Sequence, residues 1–257
     1  MSKSAKKTQE GIQVNKYISS SGFCSRREAD KLIEEERVTI NRKVALPTSR
    51  VNPGDVVAVD GEKIKLKTAD KNFYIAFHKP VGITSTTDLQ DKTNIISYIN
   101  HPKRIFPIGR LDKDSEGLIF LTNDGDIVNK ILREGNNHEK EYVVTVDKPI
   151  TGEFLKKMAS GVSIMGTKTK PCIVREAGDK RFKIILTQGL NRQIRRMCEN
   201  MRYRVITLKR IRIMNISLGN LPAGAWRYLN QVEIDQLNGQ LGESVNTPVE
   251  SKKIKYT

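Results

Sequence analysis

Apolar positions follow two different rhythms along this chain, and the change falls near residue 72. Between residues 12 and 58 the apolar runs are short and closely interrupted. In IQVNKYISSSGFCS, Val14, Tyr17 and Ile18 stand at helical spacing. SRREADKLIEEER opens with Ser25 and Glu28, a serine followed three residues later by a glutamate, which is the signature of a capped helix start. VTINRKV predicts a short hairpin turning near Asn41. VNPGDVVAVDGEKI predicts a turn at Pro53-Gly54, a strand over Val56–Val59 and a second turn at Asp60-Gly61. Two short helices and a few strands define a compact module with a small core.

From Phe73 onward longer strands alternate with helices. FYIAFHKP is strand-like and stopped by Pro80, NIISYI predicts a short helix, GLIFLTN a continuous apolar strand and GDIVNKIL a helix. KEYVVTV is rich in β-branched residues, and Thr151 can cap a helix over GEFLKKMASG. CIVREAGDKRFKIILTQG predicts two strands around Gly178-Asp179, NRQIRRMCENMRY a helix, RVITLKRIRIMNISL mostly strand, and EIDQL a last helical turn. Strands with mixed connections and no repeat period predict an α+β domain over residues 73–238, built on a largely antiparallel sheet. The polar, lysine-rich stretch 59–72 is expected to be a linker. Residues 1–11 and 239–257 are expected to be disordered tails.

A length of 257 residues fits one large domain or a large plus a small one. The formal net charge is +16 and the pI about 9.8, a balance that favours polyanions, nucleic acid above all. No apolar run approaches the ~20 residues that span a bilayer. The basic start MSKSAKKTQEG leads into no apolar segment, so a signal peptide is not expected. Cys24, Cys172 and Cys198 are odd in number and scattered, and predict a reducing, cytoplasmic setting. His78, His101 and His138 lack metal-ligand spacing, and no phosphate-binding glycine loop is present, so neither a metal nor a nucleotide cofactor is expected.

Chemistry concentrates in GRLDKDSEGLIFLTND, residues 109–124. Asp112 sits two residues after Arg110, at the entry to a buried strand, where a carboxylate needs a compensating cation. In the helix NRQIRRMCENM, Ile194, Met197, Cys198 and Met201 form one apolar stripe. Arg192 and Arg196 fall well away from it, and Arg195 lands at its edge. A border arginine can bury its stem and direct its guanidinium at a sheltered partner, which makes Arg195 the candidate counter-ion of Asp112. A poorly hydrated but ionised carboxylate is a usable nucleophile. The same residues also suit a structural ion pair. Asp124 and Asp126 read as caps, and Asp114 as a residue that orients the loop.

Two resemblances bear on this choice. VNKYISSSGFCSRREADKLIEEERVTINRK resembles an S4 RNA-binding domain, assigned here to residues 12–58. The S4 helices expose Lys16, Arg26, Arg27 and Lys31 as candidate RNA contacts. GRLDKDSEGLIFLTND resembles the active-site motif of RNA pseudouridine synthases of the RsuA branch. HKPVG, KEYVV, GLNRQIRRM and RIRIMNISLGNLPAGAWRYL resemble that family's other motifs in the family's order.

The resemblance implies isomerisation of uridine to pseudouridine in structured RNA, without metal or cofactor, by a monomer. Within the branch the chain looks most like members that modify a 23S rRNA uridine, with a tyrosine-tRNA anticodon loop as the alternative substrate. Asp112 is implied as catalytic aspartate, Tyr142 as active-site tyrosine and Arg195 as the arginine paired with the aspartate. Leu218 is implied as an apolar wall against the target base. Arg110 could fill the gap left by a flipped uridine. Lys79, Arg192, Arg196, Lys209, Arg210 and Arg212 would hold phosphates. A non-catalytic RNA-binding or ribosome-assembly factor would use the same basic surface, but has no need of a carboxylate facing its anionic ligand.

Overall fold

The structure, a computed structural model, describes residues 11–66, 72–132 and 134–242. The chain divides into two compact units, residues 1–72 and 73–257.

The first unit opens with β1 (Ile12–Gln13), α1 (Val14–Ser20) and α2 (Arg26–Glu34). The capped start is realised: Ser25 Oγ accepts from Glu28 N at 3.2 Å, and Ser25 N donates to the Glu28 carboxylate at 2.7 Å. Strands β2 (Val38–Ile40) and β3 (Lys43–Val44) make the expected hairpin. It turns at Asn41 and Arg42, both at positive φ (51° and 67°), the backbone a tight two-residue hairpin requires. After β4 (Arg50–Val51), which pairs with β1, come β5 (Val57–Val59) and β6 (Glu62–Ile64). The sheet order is β3-β2-β5-β6, antiparallel throughout. Val14, Ile18, Ala29, Ile33, Val38, Val57 and Val59 close the core. The expected linker is therefore shorter than the sequence suggested. Residues 62–64 are strand, because Asp60-Gly61 turns the chain back along β5.

In the second unit, β7 (Tyr74–Lys79) is fully buried; α3 (Ile95–Ile99), β8 (Phe106–Ile108), β9 (Glu116–Thr122) and α4 (Gly125–Leu132) follow. Then come β10 (Lys140–Val146), α5 (Gly152–Ser160), the small hairpin β11 (Ser163–Ile164) and β12 (Thr167–Lys168), β13 (Ile173–Gly178) and β14 (Arg181–Leu186). α6 (Gln193–Asn200), β15 (Val205–Ile213), β16 (Ile216–Ser217), β17 (Trp226–Tyr228) and α7 (Gln231–Leu241) complete it. Thr151 caps α5 as expected, its hydroxyl accepting from Phe154 N at 3.1 Å. α7 is longer than the single turn read from EIDQL and passes the expected boundary at residue 238. Asn230 and Glu233 cap it reciprocally, and Leu237 and Leu241 bury its inner face. Most of both expected tails lies outside the described residues.

Among the described residues the central sheet runs β13-β14-β10-β15-β9-β7-β17, with β8 also on β9 and β16 on β15. Every pairing is antiparallel except β15 with β9, so the α+β expectation of a mixed, largely antiparallel sheet holds. Alternation along β7 and β9 feeds two cores on opposite faces. Tyr74, Ala76, Leu118 and Phe120 join α4 and α7 on one face, while Ile75, Phe77, Ile119 and Leu121 join α3 on the other. A third core lies where α5 and α6 cover β10 and β14.

The parallel junction sets the position of the loop before β9. At Gly117 (φ +116°) a Cβ would stand 2.2 Å from Arg210 O and 2.5 Å from Arg210 N. Only glycine allows the two strands to cross so closely.

Candidate active site

Residues 109–115, between β8 and β9, form a loop held at several points. Gly82 N donates to Lys113 O at 2.8 Å. The buried Ser85 hydroxyl accepts from Leu111 N at 3.1 Å and donates to Leu111 O at 2.9 Å, clamping both sides of the residue before Asp112. Ser115 N donates to Asp112 O at 3.1 Å and closes the turn. Asp112 is thus presented on a fixed backbone, with its side chain 30% exposed.

α6 supplies the cations. The stripe Ile194, Met197, Cys198 and Met201 packs into the third core, as its spacing predicts. This leaves Arg195 at the edge with 8% of its side chain exposed. Its Nε lies 3.9 Å from Asp112 Oδ2. Closer contacts go to the neighbouring residues: Nη2 reaches the Asp114 carboxylate at 3.2 Å, Asp114 O at 3.1 Å and Ser115 Oγ at 3.1 Å. Arg195 Nε is buried without a hydrogen bond among the described residues, so a small approach of Asp112 would satisfy it. Arg192, expected at a phosphate, instead faces the loop, 3.3 Å from Asp112 Oδ2 and 3.3 Å from Asp114 Oδ1. Its left-handed backbone (φ 50°) at the start of α6 aims it there. Burial pushes the Asp114 carboxyl up, but the Arg192 hydrogen bond and the charges of Arg195 and Arg192 outweigh it, so its pKa lies below the usual carboxylate value.

Tyr142 lies on β10 opposite Arg210 of β15, beside an irregularity in register between Glu141 and Tyr142. It packs against both the third core and the core that contains Leu111. The Arg210 guanidinium carbon stands 6.0 Å from the Tyr142 ring centre, and Arg210 Nε donates to Leu118 O at 2.7 Å. The structure therefore brings Asp112, Arg192 and Arg195 together and sets Tyr142 on the core that carries the loop.

Four further residues named from the sequence have other partners in the structure. Lys79 has no exposed surface, and its Nζ donates to Pro80 O and Ile83 O at 2.9 and 2.8 Å; burial pushes its pKa down to about 8. Such an ammonium holds backbone rather than phosphate. Arg210 is buried as well, its Nε donating to Leu118 O. Arg212 is engaged with Glu139 and Glu141, each at 2.9 Å. Leu218 is buried in the core of Tyr74 and Phe120, while Tyr142 packs against the core of Ile75 and Phe77. Arg110 is exposed at the mouth of the loop; Arg196 is partly buried, its Nη1 without a hydrogen bond among the described residues. In the first unit Arg26, Arg27 and Lys31 are exposed along α2, and Lys16 on α1 is half-buried. No group of three or more metal-ligating side chains gathers, and no helix is long and apolar enough to cross a membrane, among the described residues.

Sequence reasoning missed Ser85 and Ser115 as elements of this site, and read Asp114 only as a residue that orients the loop. Asp112 and Asp114 are two apart in one loop, a spacing that lets one arginine face both. That signal was available.

An S4-like module and a mixed-sheet unit whose aspartate loop is flanked by arginines define an RNA-modifying enzyme. A family model described as RNA pseudouridylate synthase matches residues 73–200, and an S4 domain model matches residues 14–57. The chain belongs to the RNA pseudouridine synthase family. It is 58% identical over 226 residues to the dual-specificity RNA pseudouridine synthase RluF of Escherichia coli K12, covering 88% of this chain and 78% of that protein. It is 33% identical over 234 residues to the ribosomal large subunit pseudouridine synthase B of Bacillus subtilis, covering 88% and 95%. A crystal structure of a pseudouridylate synthase superposes with a TM-score of 0.65 at 26% identity, covering 88% of this chain and 99% of that one.

Proposed function

We propose that this protein converts a uridine of 23S rRNA into pseudouridine, accepting a tRNA anticodon-loop uridine as a second substrate. The observation that carries the mechanism is the loop carboxylate of Asp112 held between Arg192 and Arg195. Its supports are the membership just described and the dual specificity in the name of a relative sharing 58% identity.

In the reaction the N1–C1′ bond of uridine breaks, the uracil turns, and a C5–C1′ bond forms. The C5 proton leaves and N1 gains one, so atoms and electrons balance without a redox partner. Asp112 opens the sequence, as nucleophile at C1′ or as base toward a glycal, with the two arginines beside its carboxylate. Tyr142 offers an aromatic face to the uracil and a phenol for proton transfer. The target must leave the RNA stack to reach Asp112, and exposed Arg110 would enter the vacated space. The first unit holds the RNA through Lys16, Arg26, Arg27 and Lys31. The protein acts in the cytoplasm as a monomer.

Carbodiimide adduct mapping with primer extension on rRNA and tRNA, in cells with and without the protein, tests the substrate. Loss of one 23S rRNA stop, with or without a tRNA stop, is expected. Unchanged maps in both RNAs would overturn the assignment.

A further inference from the structure

Two carboxylates compete for the same arginines in the loop before β9. Arg192 Nη1 donates to Asp114 Oδ1 at 3.3 Å and Arg192 Nη2 to Asp114 Oδ2 at 3.4 Å, a fork-on-fork pair. Its Nη1 also lies 3.3 Å from Asp112 Oδ2, yet the hydrogen bonds go to Asp114. Arg195 Nη2 likewise reaches the Asp114 carboxylate at 3.2 Å, while Arg195 Nε stays 3.9 Å from Asp112. Among the described residues no hydrogen bond reaches the Asp112 carboxylate, although two guanidiniums stand beside it. The Asp114 hydrogen bond pushes the Arg192 guanidinium above its ordinary pKa against the effect of burial, and the charges of Asp114 and Asp112 follow.

The two arginines are not held equally. Arg195 is buried and keeps Asp114 O, Ser115 Oγ and Val205 O as acceptors whatever happens to the Asp114 side chain. Arg192 is exposed at the left-handed start of α6, and among the described residues its guanidinium makes hydrogen bonds to Asp114 alone. Without the Asp114 charge, the carboxylate left within ion-pair distance of Arg192 is that of Asp112. Whether Asp112 acts as nucleophile or as base, one of its oxygens must offer a free lone pair. An oxygen gripped by a bidentate guanidinium has committed it.

We infer that Asp114 is a positioning residue that holds Arg192 off Asp112. It takes the guanidinium fork itself, so the Asp112 carboxylate has positive charge beside it and keeps its lone pairs for the substrate. This rests on the reading of Asp112 as the group that opens the reaction. A second, half-exposed carboxylate beside Asp112 repels an anionic substrate, a cost that a role inside the site offsets.

The test is a mutant cycle of wild type, Asp114→Asn, Arg192→Gln and Asp114→Asn/Arg192→Gln. Each full-length protein is assayed by single-turnover pseudouridine formation on an in vitro transcript of bacterial 23S rRNA. Asp114→Asn should lower the rate at saturating enzyme by about 10- to 100-fold, the scale of a misplaced reacting group. It should bind the RNA no more weakly, because a negative charge is gone. Arg192→Gln should slow the wild type, yet speed the Asp114→Asn protein by about threefold or more, a coupling of the size seen within one ion-pair network. Asp114→Glu restores the fork and should keep most of the rate. An unchanged rate in Asp114→Asn would overturn the inference. So would a double variant no faster than Asp114→Asn, which would leave Asp114 a structural anchor. Because the side chain is half-exposed, Tm should barely move, and a loss of activity that merely follows the folded fraction would also overturn the inference. Asp112→Asn in the same assay reports separately on the enzymatic reading: turnover without the Asp112 carboxylate would remove that reading, whatever the cycle shows.

Discussion

Replacing Gly117 by alanine adds one methyl at a backbone crossing that has no room for it. The new Cβ would stand 2.2 Å from Arg210 O and 2.5 Å from Arg210 N, where ordinary contact begins near 3.4 Å, and φ is +116°. The backbone conformation costs about 1–3 kcal/mol for a residue other than glycine. Parting β9 from β15 is an overpacking change of about 1–3 kcal/mol more. The sum, roughly 2–6 kcal/mol, is a large share of the ~5–15 kcal/mol that holds a domain folded. At about 2–4 °C per kcal/mol for a unit of this size, Tm should fall by roughly 5–20 °C. Because Gly117 lies two residues after Ser115, the Asp112 loop moves with the strand, and activity should fall further than the folded fraction does. The assay is thermal and urea unfolding followed by circular dichroism, with pseudouridine formation measured well below the transition. Gly152→Ala is the control: a Cβ there meets nothing within 4 Å at the first turn of α5, and the change should be neutral or mildly stabilising. A Gly117→Ala protein with wild-type Tm and activity would refute the reasoning.

Other predictions follow from the same geometry. Arg195→Lys should lower kcat/KM by about 100-fold or more and cost roughly 2–3 kcal/mol of stability, because a single ammonium in place of Nη2 leaves nothing at the Nε position beside Asp112 or at the Nη1 position that donates to Val205 O. Single-turnover kinetics with urea unfolding would show it, and a variant within twofold of wild type would contradict it. Burial holds the ammonium groups of Lys79 and Lys140 near pKa 8, below the ordinary 10.5, so the unfolded chain binds more protons above pH 8 and stability should rise from pH 8 to 9. Above pH 9 the half-buried thiol of Cys172 and the buried thiol of Cys198, pushed up to about 11 and about 12, act in the opposite sense and should flatten the rise. Urea midpoints at pH 7.5, 8.5 and 9.5 read this directly, and a fall between the first two would refute it. The raised thiol pKa of Cys198 also predicts that it resists iodoacetamide at neutral pH until the protein is unfolded, as mass spectrometry of labelled peptides would report.

What the sequence disclosed followed local rules. The Ser25–Glu28 cap, the Asn41 hairpin, the α6 stripe and the continuous apolar run of β9 each depend on neighbours within a few residues, and each forms as read. Asp112 and Arg195 also come together, because a border position on an amphipathic helix is a local property too. The misreadings concern depth and facing, which pairing decides. Lys79, Arg210 and Arg212 looked like one basic series. Yet β7 is an interior strand between β9 and β17, with Lys79 fully buried, and the parallel crossing at Gly117 seals Arg210 under β9. Counting by twos from the inward Leu208 would have placed Arg210 inside. No local rule would have sent Leu218 to the core of Tyr74 and Phe120, since its place depends on β16 folding back along β15. The linker was overestimated because the charged Glu62 and Lys63 masked an edge strand.

The central claim is that Asp112 performs the chemistry and the rest of the molecule delivers RNA to it. Formation of the C5–C1′ bond expels the C5 hydrogen, so transcripts carrying tritium at uridine C5 release one tritium per pseudouridine made. Purified Asp112→Ala and Asp112→Asn, compared with wild type on 23S rRNA, measure the claim most directly when release and RNA affinity are read together. The account predicts no release above the protein-free control from either variant, with RNA bound at least as tightly as by wild type because a negative charge has been removed. Tritium release by Asp112→Ala at a rate approaching wild type would contradict it.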